Sequence, residues 1–150
     1  MLSKEELEAK VKENRDKATR AAKKALKTYL EYWKIPDYAK MLEVSQITYK
    51  QNNPSNKNML DYVGKKRLIS FSIVSSELIK SGAACDFVVN VIYEIGKETR
   101  RMVLPKVRVI CESGYFRPST SGTWGVNPIS TYKEEKQKKR KARRVEDEQN

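Results

Sequence analysis

Six cations fall within the seven residues "KKRKARR", and the side chains of Lys138, Lys139, Arg140, Lys141, Arg143 and Arg144 could together bind a polyanion. Such a run gains affinity by releasing counterions from phosphates, so its binding would be sequence-tolerant and salt-dependent. The tail lacks an aromatic residue, which leaves base stacking out of its chemistry. The acidic "EDE" that follows keeps a second reading open, a charged tail that only solubilises.

Catalytic chemistry is harder to place. The chain has no histidine. That removes Ser-His and Cys-His nucleophiles, imidazole acid–base catalysis and most zinc sites. The strand acids Asp86 and Glu94 alternate with Cys85 and Tyr93 and so point away from the apolar face, while Asp61, before Tyr62 and Gly64, reads as a surface or capping residue. The sequence therefore nominates no catalytic residue, no metal ligand and no cofactor. Cys85 and Cys111 are too few for a disulfide scaffold and fit a reducing, cytoplasmic setting. On an apolar face they read as buried and inert, because a reactive thiol needs an electropositive, partly exposed site.

Trp33, Tyr49, Tyr62, Phe71 and Trp124 could line a ligand pocket or fill a core. Core filling is the favoured reading, with Trp124 as a lid and Gly122 and Gly125 letting its strand approach a helix closely. A small-molecule ligand is accordingly not expected. Basic groups at Lys65–Arg67 and Arg100–Arg101 read as blunted sheet edges or as extensions of a basic surface.

The elements that must position these residues follow from periodicity. Ser3 and Glu6 make a capping-box pattern, and nothing breaks a helix from there to Pro36. Up to Lys17 only Leu7, Ala9 and Val11 are apolar. From Ala18 onward Ala22, Ala25, Leu26, Tyr29, Leu30 and Trp33 recur at helical spacing, which makes the second half the part that packs. "IPDYAKMLEVSQ" predicts a second helix, "KQNNPSN" a loop, and "KNMLDYVG" a short helix ended by Gly64.

Beyond Lys66 the period changes to two. Ile69, Phe71 and Ile73 should share a face, as should Cys85 through Ile95 at alternate positions, and Val103, Val107, Val109 and Cys111. With a three-residue turn in "GKET", Cys85 would lie opposite Cys111 and Phe87 opposite Val109, unless Pro105 introduces a bulge. "TWGVNPI" reads as a last strand, and "TYKE" at Thr131–Glu134 as a second capping box that could start a helix in the tail.

The net charge of +12 is uneven: residues 1–27 carry nine Lys or Arg against five acids, and residues 133–150 eight against five. The sequence thus divides into a solvated helical extension (1–17), a domain (18–132) and a charged tail (133–150). No apolar run approaches the roughly 20 residues that span a bilayer. The fold class implied is α+β, N-terminal helices packed on a curved antiparallel sheet.

The order of these segments resembles the nuclear transport factor two-like superfamily, whose fold is a cone-shaped α+β domain. "ALKTYLEYWKIPDYAKMLEVS" is similar to its opening helices, "CDFVVNVIYEIGKETRRMVLPKVRVICESG" to its central hairpin and "GTWGVNPI" to its closing strand. That resemblance, over roughly residues 18–130, implies a cone and either of two kinds of role. One is a lyase-like or small-molecule-binding member with a buried carboxylate in the cone. The other, favoured by the missing histidine, is a non-enzymatic interaction or assembly module, with components of mobile-element or conjugative systems among its relatives. A protein partner or a second copy is then the expected partner. The sheet's polar face is the expected contact surface, with Lys106 and Arg108 beside Leu104 and Ile110. Nucleic acid bound through the basic tail is the alternative.

Overall fold

The computed structural model describes residues 1–137. Helix α1 runs without interruption over Lys4–Lys34, so the extension and the packed helix are one element. Ser3 caps it, its Oγ accepting from the Glu6 amide at 3.1 Å. Ala22, Leu26, Tyr29, Leu30 and Trp33 form its buried stripe. Pro36 ends it as expected, and Asp37 caps α2 (Tyr38–Glu43) through the Lys40 amide. Two further short helices follow, α3 (Ile47–Asn52) and α4 (Lys57–Val63), the latter stopped by Gly64.

Six strands make one antiparallel sheet: β1 (Arg67–Leu78), β2 (Ala84–Ile95), β3 (Glu98–Gly114), β4 (Arg117–Pro118), β5 (Thr123–Val126) and β6 (Glu135–Lys136). β6 and β5 share the edge of β3 away from β2, β4 pairs with the end of β3 on its other edge, beyond β2, and β1 is a free edge. The sheet is curved and not closed, and α1 lies against its apolar face. The α+β class read from the sequence is the class observed.

Register departs from expectation at three bulges, each moving a residue by one step and therefore to the other face. The first lies between Leu68 and Ser70. It puts Leu68 in the core, leaves Ile69 exposed, and returns Phe71 and Ile73 to the inner side. The second lies between Ile73 and Ser75. The third lies opposite Val88, where Pro105 and Lys106 sit between Leu104 and Val107. Proline cannot donate to the ladder, and the bulge forms there. Before it Met102 and Leu104 face inward in place of Val103; after it Val107, Val109 and Cys111 do.

The β2–β3 turn has two residues, Gly96 and Lys97, with Gly96 at φ 62. Shortening the turn and adding the bulge pairs Cys85 with Val109 and Phe87 with Val107, so the two cysteines are not opposite each other. Cys111 pairs instead with Trp124.

The segment after the sheet also differs from the helix suggested at Thr131–Glu134. A 3-10 turn at Pro128–Thr131 is followed by the strand pair of β6 with Met102 and Val103. Two interactions outweigh the local capping pattern: the open edge of β3, and a carboxylate partner for Lys66.

Candidate docking surface

The interior is packed with side chains. Trp33 and Tyr93 are buried with ring centroids 6.5 Å apart, and the Trp33 indole donates to the Lys66 carbonyl at 2.9 Å. Phe87, Leu26, Leu30, Met41, Met59 and Leu104 complete this region. Of the five aromatics singled out by sequence, Trp33 and Tyr49 are core, while Phe71 and Trp124 are partly buried against it. Tyr62 is a correction: it is 57% exposed and stacks on Tyr132 from outside, centroids 4.1 Å apart. Its helix α4 turns only Met59 and Val63 inward. Burial, together with the hydrogen-bonded hydroxyl of Tyr49, pushes the Tyr132 phenol well above the usual tyrosine range, and burial does the same to Tyr29.

Three carboxylates that sequence reading passed over, or left on the surface, are engaged by neighbours. Glu112 is 2% exposed and accepts from the Thr48 amide at 3.2 Å and from the Thr48 hydroxyl. Gln46, the residue before α3, makes no cap of its own, so Glu112 serves the start of that helix from across the fold. Nothing local in the sequence signals this pairing.

Glu134 accepts from the Tyr93 hydroxyl and from Lys66 Nζ at 3.0 Å, with Lys66 Nζ also 5.3 Å from the Tyr93 ring centre. This cluster ties the last described residues to the Trp33 end of α1. On the outer face Asp86 accepts two bonds from Arg108, at 2.8 and 2.9 Å, and has Lys106 at 3.8 Å. The hydrogen-bonded carboxylate raises the Arg108 pKa.

The sheet surface expected to receive a partner is thereby altered. Leu104 is fully buried on the inner face because the Pro105 bulge separates its phase from that of Lys106 and Arg108. Arg108 is occupied with Asp86, and Ile110 is half-buried beside Ala84 and Gly125. Of those four residues only Lys106 is exposed, and it lies 3.8 Å from Asp86.

Both cysteines are free and buried. Burial pushes the Cys85 thiol up to about 11 and raises that of Cys111. Among the described residues no group of three or more His, Cys, Asp or Glu side chains is placed to hold a metal ion, and no helix is long and apolar enough to cross a membrane. The cations at Lys138–Arg144 lie outside the described residues.

The least satisfied part of the structure is the N-terminal half of α1. Residues 1–14 are all exposed, yet Leu7 and Val11 continue the face that further along buries Ala22 and Leu26. The helix is anchored at Arg15, whose guanidinium donates to the carbonyls of Leu78, Ile79 and Lys80, each at 3.2 Å. Beside that anchor is a cleft of about 520 Å³, lined on the helix by Val11 and Ala18, on the sheet by Leu78 and Trp124, and on the connecting loops by Gly82 and Thr120.

Trp124 therefore borders a surface groove as well as the core. Its neighbouring glycines serve backbones other than the helix. A Cβ on Gly125 would sit 2.6 Å from Gln46, and one on Gly122 would sit 2.2 Å from Glu112. No protein-family model matches the chain, and no curated protein is significantly similar to it.

Proposed function

We propose that this chain is a non-enzymatic assembly module of nuclear transport factor two-like architecture, which pairs with a second copy of itself through the overhanging half of α1. The observation that carries this reading is the apolar strip of Leu7 and Val11, 50% and 57% exposed, running into the groove beside Trp124. A helix of this length gains little stability in water without a packed face. Covering the strip supplies one.

Charge favours a second copy as the occupant. Residues 1–17 carry five cations and five acids, whereas the whole chain carries +12. Two copies repel each other over most of their surfaces but not over this segment. In an antiparallel pair centred between Leu7 and Val11, Leu7 meets the second copy's Val11. A filled interior and engaged carboxylates support a binding role over a lyase-like one. A place in a mobile-element or conjugative system is the setting its basic charge suggests.

Sedimentation velocity on the full chain tests the pairing. The wild type should sediment as a dimer, and the Leu7→Glu/Val11→Glu variant as a monomer with an unchanged circular dichroism spectrum. A wild type that remains monomeric, or a dimer indifferent to those substitutions, would contradict the proposal.

A further inference from the structure

The packed half of α1 has an outer face that the pairing does not use. Arg20, Lys23, Lys24 and Lys27 are all exposed, at spacings of three, four and seven residues that place them together on the side opposite Ala22, Leu26 and Tyr29. No Asp or Glu occurs from Ala18 to Leu30. Among the described residues no ion pair engages any of these four cations. Like charges at these spacings destabilise an isolated helix. Here the cost is borne by a helix held down by its buried stripe.

We infer that this face binds the phosphate backbone of double-stranded nucleic acid. From Arg20 to Lys27 the helix advances about 10 Å. Duplex DNA presents one charge per roughly 1.7 Å of its axis, so about six phosphate charges lie alongside. The rigid spacing suits a duplex, and the absence of any aromatic residue between Arg20 and Lys27 removes the stacking that single-strand binders use.

An anionic membrane fits less well. Helices that lie on bilayers insert an apolar face, and the apolar face of this segment is consumed by the protein core. Contacts of this kind would be independent of base sequence, since they reach phosphates only. The surface lies on the far side of α1 from Leu7 and Val11, so it is available whether or not two copies pair.

The test is fluorescence anisotropy of the full chain with a mixed-sequence duplex across a salt series. Two variants are compared with the wild type: Arg20→Gln/Lys23→Gln/Lys24→Gln/Lys27→Gln, and a second in which the six cations of Lys138–Arg144 are changed to Gln. Glutamine is a comparable helix former, and the replaced residues are solvent-facing, so the fold should persist. Four released counterions contribute a slope of about −3.6 in log affinity against log salt, or about 150-fold between 50 and 200 mM. The helix variant should lose that slope, and the tail variant should retain it.

The inference is overturned if the wild type does not bind the duplex at low salt. An unchanged slope in the helix variant, or complete loss of binding in the tail variant alone, would equally overturn it. So would preferential binding to phosphatidylserine vesicles over the duplex.

Discussion

The Glu112 carboxylate, on β3, accepts the backbone amide of Thr48 at 3.2 Å and so caps α3, whose N-cap position Gln46 lies 66 residues earlier. The same Thr48 hydroxyl that donates to Glu112 accepts from the Phe116 amide at 3.0 Å. Phe116 has φ 57, a left-handed conformation that bulky residues avoid. One acid thus joins the start of α3 to the tip of the β3–β4 turn.

Removing that acid should be costly out of proportion to its size. Glu112→Ala leaves the Thr48 amide and hydroxyl without their charged acceptor, and hydrogen bonds to charged groups contribute about 1.5–3 kcal/mol each. Chemical denaturation should show a loss of at least about 2 kcal/mol. Glu112→Gln, which keeps an acceptor oxygen, should lose less. Equal losses for the two would mean that a neutral acceptor contributes nothing and the charge carries the whole effect.

Gly125→Ala should also destabilise, by a different route. Its new methyl would meet the Gln46 backbone at 2.6 Å, where neither segment can move without disturbing the Ser45–Val126 bridge. Overpacking of this kind costs about 1–3 kcal/mol, and more when backbone must shift. Thermal melting should place Gly125→Ala well below Gly114→Ala, whose methyl would make an ordinary contact at 3.7 Å.

The cysteines give a pH dependence whose sign is fixed by burial. Cys85 has its folded pKa raised from 9.0 to about 11, so its neutral form is the one the fold favours. That contribution is fully present below about pH 9 and is lost as pH rises towards 11. Wild-type stability should fall through this window, by about 1.4 kcal/mol per pH unit from this thiol alone. Cys85→Ala should show a shallower decline. At neutral pH neither thiol of the folded protein should react with a thiol reagent until denaturant is added.

Glu134 helps hold the last described segment in place, beside the bonds of Gln137 to the Arg101 and Met102 carbonyls. Glu134→Ala removes the acceptor of Tyr93 and Lys66 together. Amide exchange should then quicken in residues 135–137 and at Met102 and Val103, the β3 positions paired with β6. Exchange at Val109 and Cys111, which pair with β5, should stay slow.

What could be read from the sequence was what local periodicity encodes. The cap at Ser3, the stop at Pro36, the buried stripe from Ala22 to Trp33 and the alternation of β2 all stand in the structure as written in the chain. Bulges were not legible, apart from the warning given by Pro105. A register step at Ile69 depends on how β1 meets β2, and no residue near Ile69 marks it. The same holds for Glu112 and Glu134, whose partners are 64 and 41 to 68 residues distant. Alternation counted straight through the Pro105 bulge puts Leu104 on the outer face for the same reason. The exposed strip at Leu7 and Val11 was visible, but only the sheet's position shows that it extends past its support.

The central claim is that the overhanging half of α1 is an interface between two copies, and concentration-dependent hydrogen exchange localises it most directly. Amides of Leu7–Asn14 should exchange rapidly in dilute protein and gain protection as concentration rises, while those of Arg20–Lys27 stay unchanged. Exchange in Leu7–Asn14 that is the same at every concentration, or protection that appears on the sheet instead, would contradict the account.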